Sequence, residues 1–242
     1  MAPFGRNTED SNWISIADMM TALMVIFMFI AINFIVQVVE HTFVQEDIYN
    51  KLQVVLSEEI ENQEIKLGPD GSIRFSMNSG QELFVEAECE PTPEFKKILA
   101  NFLPKYWGVI KSDTNNLDYI KEIRIEGHAD SKRYFKNGDT AKTAEISFRN
   151  NLDLSQCRSA HVLRFLREQP IYLDVDSAEK ERMDFLFTAI GFSNSRTINE
   201  VGLYTYIDSL KVVHDTLSRR VEFRIVTSNE KLTKQLIDFN EN

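Results

Sequence analysis

The sequence predicts one membrane-spanning helix followed by an α/β domain, an α+β sandwich of helices on a mixed sheet. Two observations indicate this organisation. An apolar run extends from Trp13 to about Val39, which is longer than the roughly 20 residues that cross a bilayer as a helix. The rest of the 242-residue chain alternates strand-like and helix-like patterns, which favours helices packed on a sheet.

Composition restricts the function classes that the soluble part can have. The formal net charge is −10 and the sequence pI is near 5.0. A nucleic-acid-binding protein would present a basic face to the phosphates, so direct nucleic-acid binding is not expected. The length after the apolar run suits one domain plus a connector.

Asp18 lies inside the apolar run. A carboxylate in a membrane helix costs at least about 2.5–3.5 kcal/mol, so it normally faces a partner or a water-filled path. Ile14, Ile16 and Ala17 precede it, which places Asp18 about one turn inside the apolar boundary. We therefore expect Asp18 to handle an ion. The alternative is a carboxylate in the headgroup layer that marks the helix start beside an interfacial Trp13.

The flanks of the run predict an uncleaved anchor. Arg6 is the one basic residue before it, and no small-residue cleavage site follows it. The next basic residue is Lys51, beyond several acidic side chains, so the short tail is the better cytoplasmic side. The predicted order is a cytoplasmic tail at 1–12, a transmembrane helix at 13–39 and a large domain outside the cytoplasm.

The segment 40–66 follows as a predicted helical stalk. Its apolar residues recur at three- and four-residue steps with acidic residues between them, which is typical of a helix with one apolar face. The apolar positions are Ile48, Leu52, Val55, Leu56 and Ile60. A homodimeric coiled coil remains open, because the repeat is too short to decide it.

The first elements of the domain follow from turn and capping signals. Gly68-Pro69-Asp70-Gly71 lies between two strand-like runs and predicts a hairpin. Leu83-Phe84-Val85 is expected to be a strand. Pro91-Thr92-Pro93 then starts a helix. The apolar face of that helix contains Phe95, Ile98, Leu99 and Phe102.

The later elements alternate in the same way. Residues 119–126 alternate apolar and polar side chains towards their end, as a half-buried strand does. A helix is predicted at 155–167, and two more strands at 183–191 and 221–226. The domain therefore extends over 67–229, followed by a tail at 230–242.

The chain has two cysteines, Cys89 and Cys157. In an oxidising compartment this pair could close a long loop, which stabilises a fold by roughly 2–4 kcal/mol. Two buried free thiols are the open alternative. Neither cysteine lies in a CxxC or CxxH arrangement, so no metal site is predicted.

Four sequence blocks resemble the OmpA-like peptidoglycan-binding domain. A strand ends in Gly127-His128-Ala129-Asp130, and Asn151, Leu154, Ser155 and Arg158 follow at the head of the next predicted helix. They resemble the family's G-H-T-D and N-x-x-L-S-x-x-R motifs, with Ala129 in place of Thr. The blocks at 189–193 and 218–223 resemble its glycine turn and closing strand. The resemblance covers 67–229 and implies an OmpA-like fold there.

The resemblance also implies a ligand and its contacts. The diaminopimelate side chain of a peptidoglycan stem peptide carries an ammonium and a carboxylate. Asp130 is expected to bind the ammonium, and Arg158 the carboxylate through its planar fork. Asn151 would support the loop, Arg219 would be a weaker candidate for a further contact, and Arg220 would have a structural role. The alternative is an Asp130–Arg158 salt bridge that only holds the loop to the helix.

The chain departs from the family pattern between Asp130 and Asn151. The connection at 131–150 is long and begins with a polar stretch to Lys142. Such an insertion could cover the site or change the wall chemistry that it binds.

The membrane run carries a second resemblance. Ala17-Asp18-Met19-Met20-Thr21-Ala22-Leu23-Met24 is similar to the helix of MotB-type stator subunits, whose aspartate carries protons. Stators of the Zorya anti-phage defence system share this layout. The short, weakly basic amino-terminal tail and the insertion favour the Zorya type over a flagellar one.

This second resemblance implies a proton-driven motor in the bacterial inner membrane, with the domain in the periplasm. Its partners would be a second copy of the chain, a multi-span MotA-like (ZorA-type) pentamer, the peptidoglycan stem peptide and, indirectly, cytoplasmic defence effectors. Proton motive force would drive it without a cofactor. Thr21 and Asn33 could line the ion path, but hydroxyl and amide groups satisfied within a helix bundle are the simpler interpretation.

Other functions remain open at this point. A flagellar stator or a static wall tether would share the anchor and the domain. A wall hydrolase would use His128 and Asp130, but no third ligand has suitable spacing. An energy transducer of the ExbD/TolR kind also has one helix with one carboxylate, yet those proteins have a smaller and different periplasmic domain.

Overall fold

The computed structural model describes residues 8–76, 82–112, 117, 119–208 and 211–227. The chain divides into two compact units, Met1–Phe43 and Val44–Asn242. The predicted tail at 230–242 and the first part of the predicted tail at 1–12, including Arg6, lie outside the described residues.

The first unit contains most of a long helix, α1, which spans Thr8–Val55. Within it, the stretch Ile16–Val36 has 21 residues and a mean hydropathy of 2.5, and no part of it is buried against protein. Its apolar side chains are exposed along the whole stretch, as in Met19, Leu23 and Phe27. Length and composition therefore suit a bilayer-spanning helix, at the place where the sequence predicts one.

The second unit begins with the last turns of α1, which join its core. Ile48, Leu52 and Leu56 are buried in the same cluster as the strands of the sheet. A short helix, α2, follows at Ser57–Glu61. The second half of the predicted stalk at 40–66 is therefore part of the domain. Its apolar side chains at four-residue steps lie on one helix face, and that face packs into the core.

A five-stranded mixed sheet forms the centre of this unit. The strands are β1 at Lys66–Leu67, β2 at Ile73–Ser76, β3 at Ile120–His128, β4 at Phe187–Gly191 and β5 at Arg220–Thr227. Their order is β1-β2-β5-β3-β4. β3 and β4 pair in parallel, and the other neighbours are antiparallel. This confirms the mixed sheet that the sequence predicts.

The predicted hairpin at β1 and β2 is present. Lys66 pairs with Arg74 across it, and Gly71 takes a φ of 72°, which glycine adopts without strain. The predicted strand at 83–85 is reduced to a single bridge between Phe84 and Pro91. Proline has no N–H to continue a ladder, so pairing stops there.

Helix α3 at Pro93–Lys111 begins as predicted. The Thr92 hydroxyl accepts a hydrogen bond from the Phe95 amide, and Pro93 occupies the first turn, where its missing N–H has no cost. Helix α4 at Ala144–Arg167 begins earlier than the predicted Ser155, because Thr143 caps it by accepting from the Ile146 amide.

The predicted strand at 183–191 is wrong in its first part. A short helix, α5, lies at Pro170–Leu173, and α6 at Ser177–Leu186 precedes β4. Asp176 caps α6 by accepting a hydrogen bond from Glu179. Met183 and Leu186, three residues apart, are both buried on its inner face, which a helix achieves and a strand does not. A last helix, α7, lies at Asp215–Ser218.

Candidate functional site

The glycines of the motif blocks allow α4 to lie directly on the sheet. Gly127 of β3 and Gly191 of β4 are register partners. A Cβ on Gly127 would lie 2.2 Å from the Ser155 carbonyl oxygen, and one on Gly191 would lie 2.4 Å from the Gln156 amide nitrogen. Any larger residue would push the helix away, so these glycines position α4 against the end of β3.

Two serines secure the loops at this edge. The Ser155 hydroxyl accepts from the Ser193 amide at 3.0 Å, and the Ser193 hydroxyl donates to the Phe148 carbonyl at 2.8 Å. The Ser193 carbonyl in turn accepts from the Ala129 amide at 2.8 Å. The Asp130 backbone is thereby held between β3, the turn after β4 and α4.

A pocket of about 360 Å³ opens beside these loops. All four predicted peptidoglycan contacts line it: Asp130, Asn151, Arg158 and Arg219. These residues come from the end of β3, from α4 and from the start of β5. The fold therefore brings together residues that are far apart in the sequence.

Asp130 is buried and already has partners. Its Oδ2 accepts from the Arg219 guanidinium at 2.5 Å, and its Oδ1 accepts from the Lys132 amide at 3.1 Å. Among the described residues, Arg219 rather than Arg158 forms the ion pair with Asp130. The residue that the sequence ranked as a weaker contact is thus its direct partner.

Arg158 lies in the pocket wall and holds a neighbouring segment. Its Nε donates to the Glu88 carbonyl at 2.9 Å and its Nη2 to the Val85 carbonyl at 3.2 Å. The guanidinium lies 4.9 Å above the Phe84 ring. Burial, with the nearby Arg219 charge, lowers the pKa of Arg158 to about 10, so the side chain is still a cation at neutral pH.

The insertion folds back onto α4. Asn151 donates to the Lys132 carbonyl at 3.2 Å, as expected for a residue that supports the loop, and the Ser147 hydroxyl accepts from the Tyr134 amide at 3.0 Å. Lys132, Arg133 and Tyr134 line the pocket. The polar insertion therefore forms one wall of the site.

His128 and Arg220 form the floor of the pocket. His128 is stacked on Phe192 with ring centres 5.3 Å apart. Burial, with the nearby Arg220 charge, lowers the pKa of His128 to about 4, so the ring is neutral at pH 7. Arg220 donates to the Glu222 carboxylate at 2.6 Å and to the Arg196 carbonyl at 3.0 Å, which makes its role structural.

A metal ion has little support at the floor. Glu126, His128 and Glu222 could offer ligand atoms within 4.8 Å of one another. However, Glu222 accepts hydrogen bonds from Arg74 at 2.8 Å, Arg220 at 2.6 Å and Arg224 at 2.9 Å. These guanidinium groups supply the positive charge that a cation would otherwise bring, and they would repel it.

Cys89 and Cys157 form a disulfide with Cα atoms 5.6 Å apart. It joins the segment 82–91, which we call the flap, to α4. The pocket is also lined by flap residues, which are Glu82, Leu83, Phe84, Glu86 and Ala87. The pairing that the sequence left open thus lies beside the predicted site.

In the first unit, Asp18 is exposed on α1, inside the stretch Ile16–Val36. The Thr21 hydroxyl donates to the Ala17 carbonyl at 2.8 Å. This bond satisfies the hydroxyl within its own helix, which agrees with the simpler interpretation of Thr21.

Comparison with known proteins gives one relative over nearly the whole chain. No protein-family model matches. The chain is similar to Zorya protein ZorB from Escherichia coli. The two are 27% identical over 243 residues, which cover 96% of this chain and 94% of that protein. The similarity confirms the resemblance that the motifs predict, and it includes both the apolar helix and the domain.

Three solved structures resemble the chain at lower sequence identity than ZorB. A cell wall anchor of the type VI secretion system from Pseudomonas aeruginosa is 20% identical, with 73% of this chain and 97% of that chain covered and a TM-score of 0.42. A putative MotB-like protein from Desulfovibrio vulgaris is 19% identical, with 76% and 92% covered and a TM-score of 0.47. The periplasmic domain of Helicobacter pylori MotB is 15% identical, with 71% and 83% covered and a TM-score of 0.41.

The sequence did not identify the flap as a pocket wall. The flap has no periodic pattern, and its residues reach the pocket only because distant parts of α4 hold it. Its one usable signal was Cys89. A disulfide to Cys157 would have placed the flap next to Arg158, the following residue.

Proposed function

We propose that this chain is the peptidoglycan-anchored stator subunit of a proton-driven motor in the bacterial inner membrane, of the Zorya anti-phage type. The observation that carries the proposal is the similarity to ZorB over 96% of the chain. That similarity includes both the apolar helix with Asp18 and the domain with the pocket. A static tether would need the domain but not the carboxylate.

Asp18 carries the proton in this proposal. It is the one acidic residue in Ile16–Val36. A carboxylate at such a place alternates between a protonated form and an ionised form that needs a polar path. One charge that crosses 100 mV releases about 2.3 kcal/mol, which is the energy source. The chain needs no cofactor and performs no catalytic step of its own.

The exposed helix requires other chains around it. An ionised Asp18 that faced lipid would be costly, so a protein partner must enclose it. We infer a homodimer of this chain within a pentamer of a multi-span, MotA-like (ZorA-type) protein. The amino terminus is cytoplasmic and the domain periplasmic, and the Cys89–Cys157 disulfide supports an oxidising compartment for the domain. Cytoplasmic defence effectors are reached indirectly through the partner.

The pocket binds the peptidoglycan stem peptide. Its ligand carries both an ammonium and a carboxylate, and the pocket offers acidic and basic side chains side by side. Arg219 Nη1 lies 2.5 Å from Asp130 Oδ2, and Arg158 lines the same cavity. We propose Asp130 for the ammonium and Arg158 with Arg219 for the carboxylate, while Asn151 holds the loop.

Phage-plating efficiency tests this function in cells that carry the chain with its partner genes. Asp18→Asn keeps the shape of the side chain but cannot ionise, so we expect phage to plate as efficiently as on cells without the system. The double variant Asp130→Ala/Arg158→Ala should also lose protection. Glu46→Gln, on the same helix but outside the apolar stretch, is the matched control and should protect normally.

Immunoblots of membrane fractions must show equal amounts of each variant. Protection retained by Asp18→Asn would overturn the proton role and leave a static tether. Equal plating efficiency on cells with the wild-type system and on cells without it would overturn the defence role. That result would favour a flagellar or other stator, which motility assays would then detect.

A further inference from the structure

The flap, residues 82–91, is a pocket wall with little structure of its own. Phe84 and Pro91 form its one bridge among the described residues, and the Glu88 amide donates to the Val85 carbonyl at 3.0 Å. Ala87, which lines the pocket, has a φ of 60°. A residue other than glycine stays in that region only where its surroundings hold it there.

One face of α4 provides much of that hold, and Lys96 of α3 adds to it by donating to the Glu90 carboxylate at 2.5 Å. Cys157 forms the disulfide with Cys89. The next residue, Arg158, donates to the carbonyls of Val85 and Glu88. These contacts hold the flap on both sides of Ala87.

The following turns of α4 add two contacts to Glu90 of the flap. His161 Nδ1 lies 2.9 Å from the Glu90 carboxylate, and Arg164 donates to it at 2.7 Å. Residues 157, 161 and 164 follow helix steps of four and three, so all of these side chains lie on one face of α4. We call Cys89–Cys157, Arg158 and the Glu90 contacts the clamp.

The residues of the clamp differ in whether they line the pocket. The guanidinium of Arg158 is forked across two flap carbonyls, so part of its effect on binding passes through the flap. Cys89, Cys157 and Glu90 do not line the pocket. They can influence a ligand only by holding the wall that carries Glu82, Phe84, Glu86 and Ala87.

We propose that the clamp sets the affinity of the pocket for peptidoglycan by preordering the flap, and that reduction of the Cys89–Cys157 disulfide weakens wall binding. This inference rests on the proposed wall-binding function. A flap that must be ordered by the ligand lowers affinity by the cost of that ordering. Reduction would come from a dithiol, which forms its own disulfide while Cys89 and Cys157 each take up one electron and one proton as thiols.

The test is co-sedimentation of the full chain, in detergent, with purified peptidoglycan sacculi that contain diaminopimelate. The variant Cys89→Ser/Cys157→Ser removes the covalent part of the clamp. We expect its apparent Kd to rise about ten-fold, as loss of preordering does. Wild type reduced with dithiothreitol should bind like this variant. Glu90→Gln, a milder change outside the pocket, should weaken binding about two-fold by the same reasoning.

Val162→Ala is the matched control, because it removes buried methyl groups from α4 without touching the clamp. Thermal unfolding of every variant identifies a temperature at which all are folded, and binding is compared there. Hydrogen exchange should show faster exchange of the Glu88 and Thr92 amides in the double cysteine variant but not in Val162→Ala.

The outcomes separate the two proposals. Wild type that does not sediment with sacculi would overturn the wall-binding function itself. Wild-type affinity in the double cysteine variant, or a loss equal to that of Val162→Ala, would overturn the clamp. If the double cysteine variant does not fold, unchanged binding by Glu90→Gln and by reduced wild type would do the same.

Discussion

The two faces of the sheet bury opposite kinds of side chain. The apolar face, defined by Ile73, Phe75, Ile123, Ile125, Val221 and Phe223, is fully buried. The Phe75 ring centre lies 5.4 Å from that of Phe95, 5.0 Å from that of Phe102 and 5.8 Å from that of Phe223. These edge-on contacts are typical of aromatic clusters. Because Phe75 contacts three rings, its packing does not depend on any single neighbour.

The charged face carries the alternate residues of the same strands. It consists of Arg74, Arg124, Glu126, His128, Arg220, Glu222 and Arg224. Glu222 has no exposed area and accepts from Arg74, Arg220 and Arg224. Burial raises the pKa of this carboxyl, but the charge of Arg220 and the other cations outweighs it, so the pKa lies well below its usual range.

The two faces should differ in how much folding stability a single substitution removes. Apolar burial contributes in proportion to area, so the apolar face should lose stability in small steps. A buried ion network is favourable only while every partner is present, because one missing partner leaves an uncompensated charge. The charged face also forms the floor of the pocket through His128 and Arg220, so its integrity should affect the site.

The largest expected effect is that of Glu222→Gln. It leaves three arginines without their shared carboxylate, and a broken buried pair costs about 3–5 kcal/mol. Urea unfolding of the full chain in detergent measures the loss. The variant Glu222→Gln/Arg220→Met should recover part of it, since it removes one unpaired charge. A cost below about 1 kcal/mol, the level of a surface ion pair, would contradict the contrast between the faces.

A pH series tests the same face through His128. Its pKa is about 4 in the folded chain and about 6.5 when unfolded. The unfolded chain therefore takes up the proton first, and stability is lost as the pH falls from about 6.5 towards about 4, by about 3 kcal/mol in total. The unfolding midpoint should fall over this range and should change less in His128→Gln. An equal slope in both chains would show that other groups dominate.

Gly127→Ala tests the contact of α4 with the sheet. The new Cβ would lie 2.2 Å from a backbone oxygen, so the helix must shift, and overpacking of this kind costs about 1–3 kcal/mol. Sedimentation with sacculi should weaken as well, because Asp130 follows at the end of the same strand. Gly108→Ala is the matched control, since a Cβ there meets nothing within 4 Å, and it should bind normally.

The smallest effect is expected on the apolar face. Ile125→Val removes one buried methylene, which typically costs about 0.5–1.5 kcal/mol. Wall binding should be unchanged, because neighbouring side chains partly fill the space. Urea unfolding and sedimentation with sacculi measure the two quantities. A loss as large as that of Glu222→Gln would show that both faces respond alike.

Local patterns predicted the parts of the fold that depend on local properties. The apolar run, the hairpin at Gly68–Gly71 and the capped start of α3 at Thr92 are each set by a few neighbouring residues. The start of α4 was missed because its first turns are polar, and only the Thr143 cap and the packing of Ser147 and Asn151 reveal it. The strand expected at Met183 failed because its apolar residues fit a helix as well as a strand.

The site divides in the same way. Motifs identified Asp130, Asn151, Arg158 and Arg219, and the fold places all four around one pocket. The sequence could not say which charges meet, because Asp130 and Arg219 are separated by 89 positions, and Arg158 reaches back 73 positions to Val85. Such contacts depend on how α4 and the strands pack. The membrane span and the motif residues follow from local chemistry, whereas the pairing of Asp130 and the clamped flap arise only when distant segments come together.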